Sequence, residues 1–139
     1  MTGIPTLLLA FDYGTRRIGV ALGETLTRSA RPLATVAVRE RRPDWDAVGR
    51  LIAAWRPSRL VVGLPVDLDG GEQEMSVSAR RFGRQLEGRY GLPVDLVDER
   101  LSTRAARERL GEAGRLRDPV DPVAAQVILE GWFSERGAA

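Results

Sequence analysis

The order of apolar and turn signals predicts one α/β domain, a mixed five-stranded sheet flanked by helices. Three strand-like runs joined by short turns open the chain. Helix and strand patterns then alternate to its end, and no repeat or linker-like stretch divides residues 1–139.

Thr6–Phe11 is an unbroken apolar run, the pattern of a strand buried on both faces in the middle of a sheet. The turn at Asp12-Tyr13-Gly14-Thr15 leads into Ile18–Leu22, close enough to pair back as a hairpin. Leu33–Val38 alternates imperfectly and reads as a third strand. Asp44–Trp55 is the clearest helix: Trp45, Val48, Leu51, Ile52 and Trp55 share one face, and Pro57 stops it. Arg59–Gly63 is a short buried strand, followed by a polar loop holding Asp69-Gly70-Gly71. A helix over Val77–Tyr90 buries Ala79, Phe82, Leu86 and Tyr90 and ends at Gly91. Pro93–Val97 is the fifth strand and runs into Asp98-Glu99-Arg100. Ser102 can cap a helix to about Ala113, and a last helix spans about Pro122 to Phe133.

Composition narrows the chemistry. At 139 residues and 43% hydrophobic content the chain supports one core without staples. It has neither cysteine nor histidine, which excludes disulfides, thiol nucleophiles, zinc–thiolate sites and Ser-His-Asp schemes. Proton and metal chemistry must then fall to carboxylates, whose hard oxygens suit magnesium or manganese. All 21 basic residues are arginines, although the formal charge is only +2. GC-rich coding accounts for such usage, yet arginine forks also match phosphate. The N-terminus lacks the basic region of a secretory signal, and no apolar stretch approaches the ~20 residues of a membrane span. A cytoplasmic protein without membrane contact is expected.

Three carboxylates stand where a site could form. Asp12 follows the first strand and Glu99 the last; if those strands are parallel, both lie on the sheet edge where ligands bind. Asp121 precedes Ala124 by three residues and Ile128 by seven, so it shares the helix face that packs on the sheet. Converging acids repel unless a cation holds them, and two divalent ions about 3.5–4 Å apart serve phosphodiester cleavage. Each residue also has a plain structural reading. Asp12 could build the turn before Gly14, and Glu99 could be a solvated charge. Asp121 before Pro122 could be a helix N-cap. Arg16, Arg17, Arg100, Arg104 and Arg107 flank the acidic edge and could hold phosphates or simply face solvent. Tyr13 could stack a base or pack. For Asp69 a turn role outweighs a ligand role.

The segments LLAFDYGTRRIGVALG, VVGLPVDLDGGEQ, VDERLSTRAARERL and VDPVAAQVILEGWF resemble the YqgF/RuvX family in order and spacing over nearly the whole chain. The most specific of these motifs is DERLST after a strand. The resemblance implies an RNase H-like fold related to Holliday-junction resolvases and a role in maturing the 5′ end of pre-16S rRNA. By motif it assigns Asp12, Glu99 and Asp121 to catalysis and to two Mg²⁺ or Mn²⁺ ions. The substrate would be structured nucleic acid: pre-rRNA, with branched or single-stranded DNA as the alternative. Pro122 departs from the family pattern by following Asp121 directly, which predicts a capping position for Asp121 rather than one within the helix.

Two other classes fit some features. Asp-x-Gly-Thr before a hairpin also resembles the phosphate loop of actin-like ATPases, whose two lobes exceed this chain. A non-catalytic RNA-binding module would keep the arginines and leave the carboxylates idle; metal-dependent cleavage separates it from a nuclease. Oligomeric state is not readable, a homodimer being one option.

Overall fold

The computed structural model describes residues 6–64, 74–98 and 120–136, apart from the side chains of 74, 120 and 121. Its first strand, β1 (Leu7–Asp12), lies inside a six-stranded sheet with antiparallel β2 (Arg17–Glu24) on one side. Beyond β2 come β3 (Ser29–Arg39) and the two-residue β4 (Arg42–Pro43), both antiparallel to their neighbours. On its other side β1 pairs in parallel with β5 (Arg59–Leu64), which pairs in parallel with β6 (Val94–Asp98). The strand order is β4-β3-β2-β1-β5-β6. The expected five strands are present; the sixth, β4, is added by a tight turn after Arg39.

Alternation along β1 explains its unbroken apolar run. Leu9 and Phe11 join Ile18, Val20, Val36, Val38, Leu60 and Val62 on one face. That face packs against α1 (Trp45–Trp55) through Val48 and against α2 (Glu74–Tyr90) through Ala79, Phe82 and Leu86. Leu8 and Ala10 join Ala21, Val61 and Val97 on the opposite face. Helix α3 (Val120–Glu135) covers these with Ala125, Ile128, Leu129, Trp132 and Phe133. Both faces of β1 are dry, so no polar residue interrupts it before Asp12.

Local signals set the helix ends. Asp44 caps α1, its carboxylate accepting from the Ala47 N–H at 3.2 Å. Arg56 leaves the helix one residue before the expected Pro57 stop, in the left-handed region at φ 48°, and its N–H bonds to Ile52 O at 2.8 Å. Gly91 ends α2 at φ 67°. Helix α3 begins at Val120, which corrects the expected capping position: Asp121 is the second helical residue. Pro122 is tolerated there because the first-turn N–H groups have no intrahelical acceptor. The helix's buried stripe starts at Ala125, one residue after the expected Ala124, and position 121 lies one turn before it.

Candidate active site

Because β1, β5 and β6 are mutually parallel, their carboxyl ends meet at one edge of the sheet. Asp12 ends β1 there, half-buried. Leu8 and Ala10 face α3, so the alternation of the strand puts Asp12 on that same face. The α3 helix is fastened at the opposite edge. Trp132 Nε1 donates to Asp95 Oδ2 at 2.8 Å, and Arg136 reaches the same oxygen at 2.7 Å. Arg28, in the β2–β3 turn, donates to the Phe133 carbonyl at 2.7 Å. These bonds hold the carboxyl end of α3 there, while its apolar stripe packs on the sheet.

The alternation of β6 separates its acids. Val97 packs beneath α3 and Asp95 bonds to it, whereas Leu96 and Asp98 belong to the other face. Asp98 therefore stands on the opposite side of the sheet from Asp12. Glu99, Arg100, Arg104, Arg107, Asp69 and the helix expected from Ser102 lie outside the described residues, as does the side chain of Asp121. Among the described residues no three carboxylates come together.

The β1–β2 turn brings Arg16 and Arg17 to this edge, both exposed. The chain folds tightly here: a Cβ at Gly14 would lie 2.5 Å from the Arg17 carbonyl oxygen, so this position requires glycine. Arg17 stands two residues before Gly19, the cross-strand partner of Asp12, and so shares the α3 face with Asp12. Tyr13 points the other way. Its ring packs on Phe82 at a centroid distance of 5.2 Å, leaving it half-buried at the rim of the α1/α2 core. The sequence reading also missed an element at this edge, the β3–β4 hairpin with Arg39, Arg41 and Arg42. Its turn contains no glycine, asparagine or proline to betray it.

A mixed sheet of four antiparallel strands continued by two parallel ones, with an acid closing β1, defines an RNase H-like fold. Thermus thermophilus RuvC in complex with a Holliday junction substrate superposes with a TM-score of 0.55 at 19% identity, covering 94% of this chain and 95% of that one. The fowlpox virus Holliday junction resolvase gives 0.55 at 10% identity, covering 94% and 99%. At these identities the likeness shows the fold.

The family follows from sequence. The model described as "RuvX: Holliday junction resolvase" matches residues 6–135, and this chain belongs to the RuvX family. A relative from Azotobacter vinelandii is 51% identical over 138 residues, covering 96% of this chain and 97% of its own length. One from Nitrosococcus oceani is 50% identical over 135 residues, covering 95% and 89%. Both carry the name "Putative pre-16S rRNA nuclease".

Proposed function

We propose that this chain is a divalent-metal-dependent nuclease that trims the 5′ end of precursor 16S rRNA in the cytoplasm. The observation that carries the reading is that Asp12, on the sheet face covered by α3, lies at the same sheet edge as the carboxyl end of β6. The names of the relatives supply the substrate. Among the described residues no helix is long and apolar enough to cross a membrane.

Asp12, Glu99 and Asp121 would hold the metal. The donor set is wholly carboxylate oxygen, which fits Mg²⁺ or Mn²⁺. A bound pair of such ions supplies an activated water and neutralises charge at the scissile phosphate. The protein's own part is positional. The dry packing of β1 holds the strand that ends in Asp12, and the Asp95 anchor holds the carboxyl end of α3. Arg16 and Arg17, joined by Arg100 and Arg104, hold neighbouring phosphates through forked hydrogen bonds.

The description of the matching family supports a second substrate, a branched DNA junction. Purified protein should be tested on a 5′-extended 16S leader RNA and on a four-way DNA junction, each with Mg²⁺, Mn²⁺ or EDTA. Metal-dependent trimming of the RNA supports the reading, and cleavage of the junction alone replaces its substrate. Full cleavage in EDTA, or none of either substrate, overturns it.

A further inference from the structure

The β3–β4 hairpin ends in Arg39-Glu40-Arg41-Arg42. Glu40 and Arg41 both adopt positive φ, 54° and 66°, the pattern of a type I′ turn that ordinarily selects Asn-Gly. Arg39 and Arg42 are direct cross-strand partners, an arrangement that sets like charges side by side. Each feature works against folding, and neither is relieved nearby. Among the described residues the side chains of Arg16, Arg39, Arg41 and Arg42 make no hydrogen bond or ion pair, and all four are exposed.

Register ties this hairpin to the candidate site. Val38 N–H bonds to Arg16 O at 2.8 Å, and Arg17 is the cross-strand partner of Ala37. Val36 and Val38 are buried on the α1/α2 face, so Ala37 and Arg39 share the α3 face with Arg17 and Asp12. Helix α3 leaves this end of β3 open, reaching it instead at the far end, where Gln126 Nε2 donates to Ala30 O. The nearby acids are few. Glu40 sits at the tip, and Asp44 is engaged as the α1 cap. The row from Asp12 through Arg17 and Arg39 to Arg42 crosses three strand spacings and, by register, climbs four residues along the strands, a diagonal of ~19 Å. Along one nucleic-acid strand that is the axial length of about five to six nucleotides.

We propose that Arg39, Arg41 and Arg42 extend Arg16 and Arg17 into a phosphate-binding ridge that holds the substrate backbone up to about six nucleotides from the cleavage position. The inference rests on the nuclease reading only for where cleavage occurs. The ridge offers cations and no free aromatic face, since Tyr13 packs on Phe82, so it reads backbone charge and not bases.

The test is binding in EDTA, which separates this proposal from cleavage. A blunt RNA duplex is titrated by fluorescence anisotropy over a range of salt concentrations. Relative to the intact chain, Arg39→Thr/Arg41→Gly/Arg42→Thr should weaken binding and flatten the slope of log affinity against log salt by about 2–3. Arg41→Gly alone keeps the turn and should flatten it by about 1. A control removing equal charge elsewhere, Arg50→Ala/Arg81→Ala/Arg84→Ala, should leave the slope nearly unchanged. Equal slopes for hairpin variant and intact chain, equal losses in hairpin and control variants, or no duplex binding by the intact chain would each overturn the ridge. Loss of cleavage with an intact slope difference would overturn the nuclease reading alone.

Discussion

Trp132 and Asp95, 37 residues apart, meet at 2.8 Å where the end of α3 crosses β6. The same carboxylate accepts from Arg136 at 2.7 Å and, through its other oxygen, from Arg59 at 3.0 Å. Arg136 also lies over the Trp132 ring, 4.6 Å from its centroid. One acid thus binds α3, β5 and β6 together at the edge opposite the candidate site.

Removing that acid should loosen the helix. Asp95→Ala leaves the indole N–H of a nearly buried Trp132 without its acceptor, at a cost of about 1–3 kcal/mol. The two arginine pairs add little, because Arg59 and Arg136 are 37% and 48% exposed. Urea unfolding should show this loss, and a change near zero would mean α3 is held by its apolar stripe alone.

The same residue sets a pH dependence. Burial pushes the Asp95 carboxyl up, but the hydrogen bonds from Trp132 and Arg136 and the charges of Arg59 and Arg136 outweigh it and hold the group below its ordinary range. A depressed carboxyl contributes stability above its unfolded pKa, about 3.9, and loses it as pH falls through the folded value. The stability gap between the intact chain and Asp95→Asn should therefore be constant near neutrality and shrink below about pH 4. A gap that widens with acid would contradict this sign.

Two glycines should respond oppositely to alanine. A Cβ at Gly23 would sit 2.5 Å from Leu129 Cδ2, a side chain with no exposure, whereas at Gly88 it meets nothing within 4 Å. Gly23→Ala should cost about 1–3 kcal/mol by forcing α3 off the sheet. Gly88→Ala, within α2, should gain about 0.5–1 kcal/mol. Thermal melts of both variants check this; equal shifts would mean that Leu129 rearranges freely.

What the sequence made legible was what local pattern controls. The dry run of β1, the Asp44 cap and the Gly91 stop each announce themselves in consecutive residues. The β4 hairpin did not, because Glu40 and Arg41 occupy backbone conformations that turn chemistry assigns to other residues. Helix α2 starts at Glu74, ahead of the expected Val77, since Met75 stands alone between Glu74 and Ser76 and sets no apolar period to read. Asp95 carries no local signal of its role, because its three partners lie 36 to 41 residues away. For the site, the parallel relation of β1 and β6 that the shared edge required is present. Asp121 was expected to cap because Pro122 follows, yet a proline within the first turn is compatible with helix on both sides.

That helical position makes Asp121→Asn informative. The change keeps side-chain volume and removes a charge that favours the helix N-terminus by only about 0.3–1 kcal/mol. If Asp121 is a ligand, cleavage should fall by orders of magnitude while the melting temperature barely moves, because Asn is a poor donor to a hard cation. Near-normal turnover would remove Asp121 from the acidic set.

The central claim is that Asp12 belongs to a metal-binding acidic edge rather than to a turn, and Asp12→Asn tests it most directly. Cleavage of the 16S leader RNA in Mg²⁺ or Mn²⁺ should disappear. Without metal, the near-isosteric change relieves repulsion among the acids and should leave the melting temperature equal to or above that of the intact chain. Retained cleavage, or a clear loss of metal-free stability, would make Asp12 a structural residue and contradict the account.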